Sequence, residues 1–531
     1  MKIKSLKIDN FRCYQNEICI NFDNMTAIIG KNDAGKSTIL EALDIFFHDG
    51  KGLVKLDKDD INKIRKQNGD NDIKIAICFT DLPTSVIIDE TNSTTLKDEY
   101  LLNKQGELEV IKTFKGGATT ATSIKVAIKA FHPTNKQCTG LLLKKQADLI
   151  SIVEKLNVEC ADKRKNALLR ASVWNNFSSD ELDLKEIELD VNSKDGDLKA
   201  LWNKLQNYMP CYSLFQVDRK NTDNDSEIQD PLKEAVKQII NDSELQEKLD
   251  YVANKVRERL QEVSDLTLAK IKEMNEDIAD SLHPRVPTTQ ELKWGDVFKN
   301  LSITGDEDIP INKRGSGVKR LILLNFFRAE AERRQKDSNS QHIIYAIEEP
   351  ETSQHKNRQK LLIDALKKLS KNKNTQVIIT THSGNIVKQL DFSQLKVVYE
   401  ESGFKKIRNV EKSSLPYPSL NEVNYLAFGD VNEEYHNELY GFLQAKAIDE
   451  NPNNEKEKYF DNWLESKGCT KSKNWIREVK GVAQSPYQCT IETFIRNFIH
   501  HPENSFNPNY SIQELTDSIH EMKNIAVSLR D

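Results

Sequence analysis

AIIGKNDAGKSTILEAL, residues 27–43, is the stretch from which the rest of the chain is read. An apolar run, Ala27 to Ile29, reaches Gly30. Four residues follow, then Gly35, Lys36 and Ser37, and then a helix start with apolar spacing at Ile39 and Leu40. This is the strand–GxxxxGK[ST]–helix order of a phosphate-binding loop. Glycines let successive backbone N–H groups turn inward around an anion. The following helix adds its N-terminal donors and the positive end of its dipole. In such a loop Lys36 reaches the β and γ phosphates and the Ser37 hydroxyl sits on Mg²⁺. Gly30, Asn32, Gly35, Lys36, Ser37 and Thr38 are therefore expected to bind ATP.

Outward from that loop, 531 residues allow two to four domains. A net charge of −6 with 30% charged residues gives no global sign of nucleic-acid binding. Eight scattered cysteines form no CxxC pair, which argues against a zinc ribbon or a disulfide framework and for a reducing compartment. The opening MKIKSLKIDNF alternates like a strand and lacks the apolar core of a signal peptide. No run approaches the roughly 20 apolar residues of a membrane helix. A soluble, cytoplasmic protein without membrane contact is the expectation.

Strands are expected at KIKSLKI, NEICINF and MTAIIG within residues 1–29, and at DIKIAICFT over 72–80. GELEVIKTF and SIKVAIKAF are further candidate strands between 98 and 131. Helical spacing then dominates, most densely over 230–281, and short strands return over 295–313. The division expected is an N-terminal head lobe (1–84), a mainly helical insertion (85–294), a C-terminal head lobe (295–414) and a helical domain (415–531).

Three further landmarks carry chemistry. IIYAIEEPE, 343–351, is an apolar strand ending in Glu348 and Glu349. Nucleotide hydrolysis needs one acidic group for Mg²⁺ and another to orient the attacking water. Glu348 is read as the metal-side residue, although Asp is usual there, and Glu349 as the base. QVIITTHS, 376–383, delivers His382 to the end of a buried strand, where it contacts the γ-phosphate. The helix HKNRQKLLIDALKKL separates the two strands, as a parallel crossover requires. KRGSGVKR, 313–320, opens a helix with Ser316 and Gly317, small residues suited to anion contact.

In this order the four landmarks resemble the ABC-type ATPases of the SMC/RecF/OLD group, as does the opening Ile8, Asn10, Phe11, Arg12, Tyr14. The resemblance implies an α/β fold: an ABC-type P-loop ATPase head with a helical insertion, using ATP and Mg²⁺. It also implies a homodimer, or a higher oligomer, in which Ser316 and Gly317 of one head close the phosphate site of the other. Gln216 is a weak candidate for the family's glutamine loop.

The C-terminal part has no DxD pattern of the Toprim kind. It has TIETFIRNFIHHPEN, 490–504, with Glu492, Arg496 and His500 at four-residue steps. Arg496, Asn497 and His501 resemble the RNxxxH motif of HEPN domains, helical bundles that often cut RNA. A histidine moves protons at the ribose 2′-OH and an arginine stabilises phosphoryl charge, with no metal needed. His500 is a rival to His501. An ABC-type head with a HEPN bundle looks like the anticodon nucleases and related antiphage ATPases, which implies RNA, tRNA among the candidates, as substrate and a phage protein as trigger. Two alternatives stay open: an ATPase scaffold that recruits or restrains a separate toxic effector, and a RecF/SMC-like DNA-repair ATPase.

Overall fold

The structure, a computed structural model, describes residues 1–216 and 342–529 apart from 90–91, 121, 192–197, 353–355 and 453–455, with a few positions between 245 and 258. The chain divides into two units, residues 1–217 with 333–531, and 218–332. The described residues lie almost wholly in the first. The helices expected over 230–281, the strands expected over 295–313, and Ser316 and Gly317 lie outside them or nearly so.

Strands β1 (Lys2–Asp9), β2 (Ile18–Asn21) and β3 (Met25–Ile29) lead into helix α1 (Lys36–His48). After a short α2 (Lys63–Gln67) come β4 (Asp72–Thr80), the paired β5 (Val86–Asp89) and β6 (Asn92–Thr94), and the long β7 (Leu108–Lys115) and β8 (Ile124–Pro133). Helices α3 (Gln146–Lys155) and α4 (Asn166–Asn175) precede β9 (Leu184–Asp190), and α5 (Leu198–Gln206) precedes β10 (Cys211–Phe215). The second head segment supplies β11 (Ile343–Ile347), α6 (Lys356–Ser370), β12 (Thr375–Thr381), α7 (Gly384–Val387), β13 (Leu395–Glu401) and β14 (Phe404–Asn409).

These strands make two six-stranded sheets. The first, β2-β1-β4-β7-β8-β9, is antiparallel throughout. The second, β10-β11-β12-β3-β13-β14, is parallel except for β14 at its edge. The sequences differ accordingly. Every residue of β3, β11 and β12 is buried, as for parallel strands covered on both faces. The strand IKVAIKAFHP of β8 buries most of its residues but keeps Lys125 exposed, nearer the alternation of an antiparallel strand. Helix α1 lies between the sheets. Phe46 meets Phe79 of β4, Phe47 stacks on Tyr212 of β10, and the Tyr212 hydroxyl donates to the Leu40 carbonyl at 2.6 Å. The buried Gln376 amide ties the sheets together, accepting from the Ile3 N–H and donating to the Ile3 carbonyl, both at 2.8 Å.

The described residues 85–216 of the expected helical insertion carry strands as well as helices: three join the N-terminal sheet, and β10 joins the parallel one. β7, β8 and β9 add in turn to the edge that β4 leaves open, and α3, α4 and α5 are interspersed with them.

A separate apolar core begins at Leu415 and holds the C-terminal bundle, with Tyr435, Leu439, Phe460, Trp463, Phe494 and Met522 among its members. Its helices are α8 (Leu420–Phe428), α9 (Glu433–Glu450), α10 (Glu457–Ser466), α11 (Ile491–His500) and α12 (Ile512–Ser528). Between α10 and α11 run two short antiparallel pairs, β15 (Lys473–Trp475) with β18 (Tyr487–Cys489), and β16 (Glu478–Val479) with β17 (Val482–Ala483).

Candidate nucleotide site and C-terminal cleft

β12 lies between β3 and β11, so the ends of all three strands meet on one edge of the parallel sheet, where α/β folds bind ligands. β3 delivers the glycine-rich loop, β11 delivers Glu348 and Glu349, and β12 delivers His382. The loop has left no room at its glycines. A Cβ on Gly30, at φ 155°, would stand 2.7 Å from the Val398 carbonyl oxygen. One on Gly35, at φ 102°, would stand 2.7 Å from Cys13 Sγ and 3.0 Å from the Tyr14 hydroxyl.

Lys36 is buried and its ammonium donates to the carbonyls of Gly30, at 3.0 Å, and Lys31, at 2.9 Å. Burial lowers its pKa, while Glu349, Glu351, Asp33 and Glu348 pull it back up. The lysine and the acidic strand end therefore share one electrostatic site. The Ser37 hydroxyl donates to the Glu348 carboxylate. These two hard oxygen groups, side by side at the helix start, suit Mg²⁺. Thr38 is buried with its hydroxyl against the Cys13 thiol, and Asn32 is exposed on the loop.

Glu349 takes φ 39°, a left-handed value uncommon outside glycine. Its N–H donates to the Thr380 carbonyl at 3.1 Å. Its carboxylate lies 3.0 Å from His382 Nδ1. Glu351, a residue for which the sequence offered no role, anchors that histidine. Its buried carboxylate accepts from the Thr381 hydroxyl at 2.6 Å and the His382 N–H at 2.9 Å, and lies 3.6 Å from the imidazole.

The opening motif lies beneath the loop. The Tyr14 hydroxyl donates to the Gly35 carbonyl at 3.0 Å, and Arg12 bridges Glu41 of α1 and Asp60. Gln216 donates to the same Glu41 at 3.0 Å. Among the described residues, this places the glutamine-loop candidate on the first turns of α1.

In the bundle, Thr490 caps α11 with its side chain on the Thr493 N–H. Arg496 is half-exposed, donating to Asn497 Oδ1 at 3.0 Å, 3.8 Å from Glu457 and over the Tyr440 ring. His501 is the first residue past the helix, exposed, 3.3 Å from Glu503. His501 and Asn497 line a cleft of about 730 Å³ with Lys471, Arg477 and Asn504. His500 is exposed, and partial burial with Arg496 and His501 nearby lowers its pKa. Glu492 lies on the helix line of Arg496 and His500 but not at the surface with them. It is fully buried, because the first turn of α11 packs into the bundle while its last turn reaches the surface.

A glycine-rich loop, two strand-end carboxylates and a histidine on one edge of a parallel sheet define a P-loop ATPase head. The chain belongs to the AAA_15 family, the AAA ATPase domain, which matches residues 1–387. A curated relative is Endonuclease GajA of Bacillus cereus (strain HuB5-5), 24% identical over an alignment of 436 residues that covers 73% of this chain. The chain spans 58% of that relative's length. Among solved structures, the SMC head domain from Thermotoga maritima covers 78% of this chain and 100% of its own at 14% identity, with a TM-score of 0.30. The Pyrococcus furiosus Smc head with an extended coiled coil, bound to the C-terminal domain of ScpA, covers 80% and 98% at 16% identity and 0.33. Likenesses this loose carry no argument of their own. No helix among the described residues is long and apolar enough to cross a membrane.

Proposed function

We propose that this chain couples ATP binding and hydrolysis in its head to a HEPN-like ribonuclease in its C-terminal bundle, in antiphage defence of the abortive-infection kind. In the head, Lys36 and the loop N–H groups hold the phosphates. Ser37 and Glu348 hold Mg²⁺, which supplies neutralisation of phosphate charge when bound. Glu349 orients the attacking water and accepts its proton. His382, held by Glu351, reads the γ-phosphate. The heads act as a homodimer, with Ser316 and Gly317 contributed by the partner. In the bundle, His501 moves the proton of a ribose 2′-OH and Arg496 stabilises the phosphoryl oxygens.

The observation that carries the nuclease reading is that Arg496, Asn497 and His501 come together at the last turn of α11, Asn497 and His501 lining a cleft of mixed charge that holds Lys471 and Arg477 as well as Glu457 and Asp461. Control by ATP is supported by two contacts between head and bundle. Lys31 of the phosphate loop lies 3.8 Å from Asp430 and over the Phe428 ring. Lys388, just past α7 and six residues beyond His382, pairs with Glu438 at 2.7 Å and lies over Tyr417. Purified protein is expected to cut RNA or tRNA without added metal, in a manner that ATP modulates. His501→Ala and Arg496→Ala abolish cutting, and a His501→Ala protein as active as wild type sinks the nuclease assignment.

A second reading has its own support. Arg496 is already engaged by Asn497 and Glu457, as in a bundle that serves as an interface. The head then restrains or recruits a separate effector. The name endonuclease borne by the relative fits either a nuclease partner or a nuclease domain. Toxicity of a co-expressed neighbouring protein, relieved by this chain, selects this reading over the first.

A further inference from the structure

Away from the cleft, the C-terminal bundle buries a second group of reactive side chains. Cys469 follows α10 just after Gly468, whose φ of 111° turns the chain back so that the Cys469 N–H donates to the Leu464 carbonyl at 3.1 Å. Glu492 is the second residue of α11, and Glu521 lies in α12. One ligand atom from each, the Cys469 sulfur and a carboxylate oxygen of each glutamate, lies within 4.8 Å of the others.

The Glu492 side chain is 0% exposed, and neither of its oxygens has a hydrogen-bond donor in bonding geometry. An uncompensated buried carboxylate is costly and is met by a proton, a donor or a cation. Beside it stand a second carboxylate, Glu521, the Cys469 thiol, the Thr490 hydroxyl and its own backbone N–H, none of which carries a full positive charge. Glu521 is exposed, which leaves the group open to solvent on one side. Burial together with Glu521 pushes Glu492 up to about 7, and burial pushes the Cys469 thiol up as well.

We propose that Cys469, Glu492 and Glu521 form a binding site for a divalent cation of the zinc class, with water entering from the Glu521 side as a further ligand. The cation ties α10, α11 and α12 together at the end of the bundle. The thiol selects against Mg²⁺ and Ca²⁺, which take oxygen ligands alone, and a thiolate with two carboxylates and an open position suits zinc. Binding releases the thiol proton and any proton shared by the glutamates, so the site tightens as pH rises. It is distinct from the Ser37 and Glu348 pair in the head, and it takes no part in RNA cutting, whose metal-free chemistry stands or falls separately.

The test is metal analysis of the full chain by inductively coupled plasma mass spectrometry after desalting, followed by Co²⁺ titration of the stripped protein. The expected result is one Zn²⁺ retained per chain and a thiolate-to-cobalt charge-transfer band in the near ultraviolet. Cys469→Ser removes the band and the retained zinc while ATP hydrolysis by the head continues, and Ser37→Ala leaves both in place. Glu492→Gln, which keeps the side-chain volume and removes the buried charge, folds and binds Co²⁺ at least tenfold more weakly. Wild-type protein that retains no zinc and gives no charge-transfer band with added Co²⁺ overturns the proposal and leaves a proton shared between the two glutamates. A band that survives Cys469→Ser overturns it too.

Discussion

Lys36 shows how much of the nucleotide site is decided at single residues. Its ammonium is held on two loop carbonyls, and four carboxylates offset the burial that lowers its pKa. Lys36→Ala removes the ammonium proposed to hold the phosphates, and with charge-assisted hydrogen bonds worth about 1.5–3 kcal/mol each, the loss of two is expected to lower ATP affinity measured by calorimetry at least a hundredfold. Glu349 holds a left-handed backbone, at φ 39°. Left-handed backbone at a non-glycine residue persists where surrounding contacts hold it, often in service of function. Glu349→Gln keeps the shape and removes the base. Phosphate release is expected to fall by about 10²–10⁴ while nucleotide binding survives. Turnover at the wild-type rate in that variant would remove Glu349 from the role of base.

At the scale of elements, α9 carries a pH dependence of its own. His436 is fully buried, its Nε2 3.0 Å from the Ser518 hydroxyl of α12 and its Nδ1 without a partner. Burial lowers its pKa from 6.5 to about 3. The folded value lies below the unfolded one, so between these limits the unfolded chain binds a proton that the folded chain refuses. Stability is therefore fully present above pH 6.5 and is lost as pH falls toward 3. The expected loss at pH 5 is about 2 kcal/mol, read as a urea midpoint that falls more steeply with acid in wild type than in His436→Gln. Equal pH dependence in the two proteins would mean that His436 is protonated in the fold. Helix α11 rests on its cap. Thr490→Ala removes the side-chain acceptor for the Thr493 N–H and is expected to cost about 1 kcal/mol in the same unfolding measurement.

On the scale of the whole molecule, the proposed dimer makes a prediction that no single chain satisfies. A Lys36→Ala chain lacks the lysine of its phosphate loop, and a Ser316→Arg chain lacks the proposed surface that closes its partner's loop. Neither hydrolyses ATP alone. Mixed, they are expected to restore up to half of the wild-type sites, and no recovery on mixing would rule out closure in trans. The contacts of Lys31 and Lys388 with the bundle add about 1 kcal/mol or less each as partly exposed ion pairs. Their loss is expected to leave folding and ATP hydrolysis intact and to weaken the dependence of RNA cutting on ATP.

The site in the head was legible because its chemistry is written in contiguous runs. Gly30 to Thr38 needs glycines at fixed offsets, and the strands that end at Glu349 and His382 carry apolar runs and are buried throughout because both their faces are covered. Local sequence states such constraints directly. Tertiary structure alone decided that β12 sits between β3 and β11, that Glu351 holds His382, and that Arg12, Tyr14 and Gln216 support α1 and its loop. It also decided that β7 to β9 extend the first sheet, since an alternating strand specifies a pleat and not a neighbour. Glu492 makes the same point in the bundle. Spacing put it on a line with Arg496 and His500, but where a helix turns from core to solvent depends on the helices packed against it, and that information lies far away along the chain.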